Sequence, residues 1–434
     1  MAFTAATTSS TDPGATADRS RGVDAPDLQL FVFGLFFIFG GITSLNDVII
    51  PKLKDLFTLN YGQALLVQSA FFAAYFLFSL PAAAIVRKAG YMRTASIGLL
   101  LMTAGCLMFV PASQSGMFGV FLIALFVLAA GITVIQVVAN PLISLLGPLR
   151  TASSRLTFAQ AFNSLGTTVF PYVGSILILG SLAKIDPKTL SGAALDAYRT
   201  AETQTVVHTY LGLAAALVIV AAVVWTRRKR LHETHDQTGS IFHAFDLLRR
   251  PRFSFGALCI FLYVGAEVAI GSLIVNYLEQ ANVLGLDPVS AGKHVPVYWF
   301  GALVGRFIGS GVLRLVSPGK VLVGVAAGAI ALILISANTT GIVCGYSLLA
   351  IGLVNSIMFP TIFSLASEGL GARAAEGSGI IATAIVGGAV IPPLTGMLAD
   401  HSSLRFALAL PAVCYLIIVA YGFYARRPAA GQTT

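Results

Sequence analysis

Residues Leu28–Ile50 read LQLFVFGLFFIFGGITSLNDVII, and Asp47 is the only charge among them. A run of about 20 apolar residues is long enough to cross a bilayer as one helix. A carboxylate inside such a helix costs roughly 2.5–3.5 kcal/mol on insertion scales, so it is retained where it faces a partner or a cavity. Burial favours the neutral form of a carboxyl, which makes Asp47 a candidate for taking up and releasing a proton. The plainer alternative places Asp47 at a hydrated helix end with a structural role.

The rest of the chain repeats this pattern. Of 434 residues, 56% are hydrophobic and 10% charged, against about 25% charged in soluble domains. Apolar windows of spanning length fall at about 28–50, 63–86, 94–111, 117–146, 156–181, 206–226, 253–279, 292–315, 320–338, 341–366, 376–398 and 404–425. No stretch alternates as a membrane β-strand would. The composition therefore predicts an all-α membrane protein of twelve transmembrane helices. Residues 1–27, rich in Thr, Ser and Ala, read as a disordered cytoplasmic tail, and 426–434 as a second one.

The formal charge of +9 sits in short loops rather than in a nucleic-acid-binding patch. With both termini cytoplasmic, one side collects Arg87, Lys88, Arg93, Arg150, Arg155, Arg227, Arg228, Arg249, Arg250, Arg252, Arg314, Lys320 and Arg373. The other side keeps Lys52, Lys54, Lys184, Lys188, Arg199, Lys293 and Arg405. That is the positive-inside asymmetry, and it predicts a multi-pass protein of the cell inner (plasma) membrane. Cys106, Cys259, Cys344 and Cys414 lie in apolar segments without CxxC spacing, so they read as buried free thiols.

A polar linker, 227–252, separates two six-helix halves, 28–226 and 253–425. Within it, SIFHAFDLLRR sets Ile241, Phe245 and Leu248 on one α-helical face, as in a helix lying on the inner leaflet; a solvated linker is the alternative. The halves look related by pseudo-symmetry. Arg87 and Arg93 recur as Arg314 and Lys320, Gly166, Pro171 and Gly174 as Gly388, Pro393 and Gly396, and Pro141 as Pro360. Paired repeats around a midplane site are an architecture of secondary transporters.

The polar side chains deep in these windows are few. Gln136 and Asn140, four apart, share a helix face, as do Gln160 and Asn163, three apart. Glu267 and Asn276 lie in the seventh window, and Asn355 in the tenth. Amides donate and accept together, which suits a neutral polyhydroxylated solute, although interhelical hydrogen bonding explains any one of them equally well. Tyr263, Tyr298, Trp299 and Phe359 are candidate faces for a sugar ring, with simple packing as the alternative. Glu267 reads as a second proton site, a sugar acceptor or half of an ion pair. Arg306 is expected to snorkel toward the inner face, a gating ion pair being its alternative. There is no phosphate-binding loop, nucleophile elbow or metal-ligand spacing, so neither an enzyme nor an ATP-driven pump is expected, and no cofactor.

At SLNDVIIPKL (44–53), QVVANPLISLLGP (136–148), SSRLTFAQAFNSLG (153–166), FLYVGAEVAIGS (261–272) and FPTIFSLA (359–366) the chain resembles the fucose–galactose–glucose:proton symporter family of the major facilitator superfamily. The resemblance runs from about Phe31 to Tyr424. It implies the major facilitator fold, alternating access and cation-driven hexose uptake. It further implies that Asp47 is the proton-coupling carboxylate and Gln160 a cavity-lining residue. The L-fucose member carries a functional glutamate where this chain has Gln136, so this sequence looks more like the glucose/galactose branch. Some relatives are sodium-coupled. The expectation is a hexose importer driven by protons, working as a monomer in the lipid bilayer without nucleic acid. Asp47 and Glu267 handle the proton, and Gln136, Asn140, Gln160, Asn163, Glu267, Asn276 and Asn355 contact sugar. Its rivals are sodium-coupled sugar symport, efflux of another small solute, and a non-transporting sugar sensor.

Overall fold

A computed structural model describes residues 26–45, 49–50, 52–53, 56–57, 59, 66–174, 191–228 and 241–426. Asp47, Lys54, Lys184, Lys188, most of the N-terminal tail and nearly all of the C-terminal one lie outside the described residues. The helices follow the apolar windows in order. α1 is Pro26–Ser44, α2 Leu66–Ala89, α3 Tyr91–Leu107, α4 Phe118–Leu145, α5 Ala152–Gly174 and α6 Ala193–Thr226. Then come α7 Pro251–Leu278, α8 Val295–Leu315 and α9 Pro318–Asn338. Three further helices are each broken once. α10 comprises Gly341–Asn355 and Met358–Ser367, α11 Ala374–Ala384 and Gly387–His401, and α12 Leu404–Ala407 and Ala409–Ala425.

Among the described residues, 11 helices are long and apolar enough to cross a membrane. α5, with SSR, TT and two amides in its 23 residues, is too polar to count by that measure. It nevertheless packs in sequence with the rest. α1 pairs with α5, α2 with α4, α3 with α4 and α3 with α6. The same order recurs as α7 with α11, α8 with α10, α9 with α10 and α9 with α12. α5 also meets α8, and α2 meets α11, which joins the two groups.

Close backbone contacts give the repeat its register. A Cβ on Gly166 would run into the Phe37 carbonyl of α1, and one on Gly387 into the Phe261 carbonyl of α7. Gly166 is therefore matched by Gly387, one residue before the Gly388 that the Gly/Pro spacing selected. The consecutive prolines Pro392 and Pro393 let both glycines keep the Gly-to-Pro interval of five, while the further interval of three to Gly396 fits only Gly388, so spacing and packing select neighbouring residues.

The prolines matched between the halves have a direct consequence. A helical proline cannot bond the carbonyl four residues earlier and its ring pushes that carbonyl aside. Pro141 so frees Val137, whose oxygen accepts from Ser378 of α11 at 2.9 Å. Pro360 frees Ser356, whose oxygen accepts from Arg306 Nε at 3.2 Å, where α10 is interrupted. Both freed acceptors serve as interhelical contacts.

α1–α6 and α7–α12 touch at the end that carries the arginines. Arg87 of α2 pairs with Glu376 of α11 at 2.7 Å. Ser153 Oγ donates to Ser364 Oγ at 2.7 Å, and Ser154 Oγ to the Ser310 carbonyl at 2.7 Å. The side chains involved are buried or partly so, which shields these bonds from water.

The linker segment differs from its α-helical reading. Ile241–Arg249 is a 3-10 helix, in which positions three apart eclipse. Ala244 and Leu247 form the buried ridge, while Phe245 and Leu248 are exposed on another. Asp246 holds it in place through Arg373, at 2.5 Å and 3.1 Å. That hydrogen bond from Arg373 is the chief cause of a depressed Asp246 pKa. A depressed carboxyl loses its stabilising contact as pH falls through the folded value, below the ordinary carboxylate range. Protection of Ile241–Arg249 against hydrogen exchange, taken relative to the intrinsic rate at each pH, is therefore expected to hold at neutral pH and to fall only in that acidic range. Asp246→Asn should show the low protection at every pH; equal protection in the variant at pH 7 would refute the tether.

Candidate functional site

The polar residues of the middle layer form one connected set. Near the middle of α7, Tyr263 and Glu267 are one turn apart, and the Tyr263 hydroxyl donates to Glu267 Oε1 at 2.7 Å. The same hydroxyl lies 3.0 Å from the Asn355 carbonyl of α10. Asn355 Nδ2 donates to the Tyr298 hydroxyl of α8 at 2.9 Å, and the buried Tyr415 hydroxyl of α12 faces the Asn355 side chain.

Arg306 carries this set across to α5. Its Nη1 donates to the Gln160 carbonyl at 3.1 Å and to Ser164 Oγ, while Nε holds the Ser356 carbonyl. The expected snorkelling toward the inner face is therefore corrected, and no ion pair forms with Arg306 among the described residues. The guanidinium finds its acceptors inside, where Pro360 has freed one and α5 supplies two. Gln160 Nε2 in turn lies 3.4 Å from Asn140 Oδ1 of α4, a long bond between two amides at 6% and 3% exposure.

Four elements of the expected site thus come together: Asn140, Gln160, Asn355 and Glu267. Gln136, one turn along α4 from Asn140, is partly exposed and donates to the Tyr75 hydroxyl of α2 at 2.7 Å. Asn163 turns toward α1, with Nδ2 3.5 Å from the Phe36 carbonyl. Asn276 stands apart, exposed near the far end of α7. Tyr263 and Tyr298, read as candidate sugar faces, are instead at 1% and 0% exposure and act through their hydroxyls. Trp299 is open at 42% and meets Tyr298 edge-on, and Phe359 is partly exposed beside Tyr263.

Sequence reading missed Tyr75 and Tyr415, tyrosines of mainly apolar helices that carry no spacing signal. It also placed Lys52 among the outer loop charges. Lys52 is fully buried and paired with Glu202 of α6. All four cysteines are free and buried, and no cluster of His, Cys, Asp or Glu suited to a metal occurs among the described residues.

Chemically, the joined set offers neutral amide donors and acceptors, one carboxylate and one fixed guanidinium, drawn from α4, α5, α7, α8 and α10. That inventory fits hydroxyl-rich solutes and a titrating proton, with no nucleophile or leaving-group stabiliser in view.

Comparison with known proteins agrees with this architecture. The family model described as Major Facilitator Superfamily matches residues 32–391. The chain is 46% identical over 388 residues to a "Glucose/galactose transporter" of Brucella abortus, covering 89% of this chain and 91% of that one. It is 32% identical over 416 residues to the "L-fucose-proton symporter" of Escherichia coli, covering 93% of each. Among solved structures it resembles a Major Facilitator Superfamily transporter, FucP, crystallised in the outward conformation. The TM-score is 0.84 at 30% identity, over 92% of this chain and 98% of that one. These relatives are transporters and not enzymes.

Proposed function

Because this chain belongs to the Major Facilitator Superfamily, we propose that it imports a hexose of the glucose or galactose type together with a proton. The likeness to the glucose/galactose transporter over nearly the whole chain carries the substrate class. The amide-rich set around Glu267 supports it, since each sugar hydroxyl both donates and accepts. Asp47 is the proton-coupling carboxylate of this reading. Asn140, Gln160, Asn163, Gln136, Asn276 and Asn355 contact sugar directly or position those that do, and Glu267 accepts from a sugar hydroxyl or binds a second proton.

In this reading α5 is the twelfth span, its lower apolarity offset by contacts with α1 and α8. The termini and the arginine-bearing end face the cytoplasm of a bacterial inner membrane. Segments 28–226 and 253–425 rock as two bodies about the site, with 227–252 as their linker. The bonds between them, Arg87–Glu376 and Ser153–Ser364 included, then close the cytoplasmic side of an outward-facing state. A proton promotes the exchange only by binding one state better than the other. The unit is a monomer and needs no cofactor beyond the coupling ion.

Purified protein in liposomes holding a pH-sensitive dye tests this. Adding D-glucose or D-galactose outside, with no imposed gradient, should acidify the lumen in step with sugar entry. Replacing sodium by potassium at fixed pH should change nothing. Sugar entry without proton movement, or entry that needs sodium, would reject proton symport; no sugar flux at all would favour a sensor or an efflux carrier.

A further inference from the structure

A cavity of about 540 Å³ lies at the arginine-bearing end, between the start of α1, the α4–α5 turn and the end of α8. Arg150, Arg155 and Arg314 line it with Gln29, Thr151 and Ser154, and no carboxylate does. None of the three arginines has an acidic partner among the described residues. The nearest acid along α1, Asp27, faces Arg227 at 3.3 Å. The cavity is therefore a concentration of positive charge that no carboxylate among the described residues pairs with.

Hydrogen bonds hold two of the arginines to the cavity wall. Arg155 spends its five donors on the α4–α5 turn: Nε on the Ile143 carbonyl, Nη2 on the Ser144 and Gly147 carbonyls, and Nη1 on the Pro148 carbonyl and Thr151 Oγ1, so it adds charge to the cavity wall while Arg150 and Arg314 are the arginines with donors to offer. Arg314 Nε lies 3.3 Å from Ser154 Oγ. Arginine forks suit the tetrahedral oxygens of a phosphate.

The surroundings identify the bearer of that phosphate. Leu30, Leu149 and Leu315 each adjoin a cavity residue in the chain and are 71%, 46% and 88% exposed. Phe307 and Ile308 on α8 are exposed as well. Cationic side chains inside a pocket and bare aliphatic ones next to them in the chain match a lipid, whose headgroup is charged and whose chains are not. Basic pockets between helices at this membrane face bind anionic headgroups. We propose that this cavity is a binding site for the headgroup of an anionic phospholipid. A bound headgroup bridges Arg150 and Arg314, and so favours the arrangement in which α5 and α8 touch.

Native mass spectrometry of the purified full chain in neutral detergent, titrated with phosphatidylglycerol, measures the binding. Arg150→Gln/Arg314→Gln should weaken phosphatidylglycerol retention by about tenfold to thirtyfold, two arginines being removed. The control Arg249→Gln/Lys320→Gln, at the same end but outside the cavity, should retain it as the parent does. Inorganic phosphate at equal concentration should not displace the lipid, and phosphatidylcholine should bind less. Equal losses in both double variants, retention of phosphatidylcholine as strong as that of phosphatidylglycerol, or displacement by phosphate alone would each overturn the proposal. The readout is binding in detergent, so it stands or falls apart from the transport reaction.

Discussion

Asp47→Asn is expected to abolish accumulation of hexose against a gradient while leaving counterflow of labelled for unlabelled sugar intact. The size of the effect follows from the driving force. One pH unit is worth about 1.4 kcal/mol, and moving one charge through 100 mV about 2.3 kcal/mol. Together they set a ceiling near 500-fold accumulation for one proton per sugar. Without a titrating group at Asp47 the ratio falls to about one, because a proton that binds neither state biases neither. Counterflow needs only the reorientation of loaded carrier, which the neutral amide permits. Accumulation in the variant equal to that of the parent, measured in the same vesicles, would remove Asp47 from the coupling step. The same assay separates Asp47 from Glu267, whose carboxylate is tied through Tyr263 to the Asn355 network.

Much of the architecture was readable in the chain because lipid imposes a length and a composition on every crossing. The windows at 253–279 and 320–338 reappear as α7 and α9 almost residue for residue. α6 was read short, since Ala193–Arg199 is too polar to mark a span, yet the helix continues through it. Helical spacing correctly put Gln136 and Asn140 on α4 and Gln160 on α5. What no periodicity states is which distant helix a side chain meets. That Asn140 meets Gln160, that Arg306 bonds α5 instead of snorkelling, and that the Gly166 equivalent is Gly387 are all facts of packing between elements far apart in sequence. The interruption of α10 was partly foreseeable from Pro360, but the use of the freed Ser356 carbonyl by Arg306 was not.

The same limit explains Lys52, and its pairing predicts the second large effect. By composition Lys52 belonged with the outer loop charges. In the fold its ammonium is fully enclosed against Glu202, which is itself 6% exposed. Leu53 and Leu56 beside it are buried as well, and next to Glu202, Thr203 accepts from Ser113 at 2.8 Å. Taking two charges out of water is costly, and their attraction only about offsets that cost. Removing one partner leaves the other buried alone, a loss of about 3–5 kcal/mol. Lys52→Met and Glu202→Leu are each expected to lower stability by that amount in detergent unfolding. The double substitution should recover most of it, because neither charge then remains stranded. Single variants that unfold at the parental midpoint would show the pair to be dispensable, and Lys52 would return to the role of a topological charge.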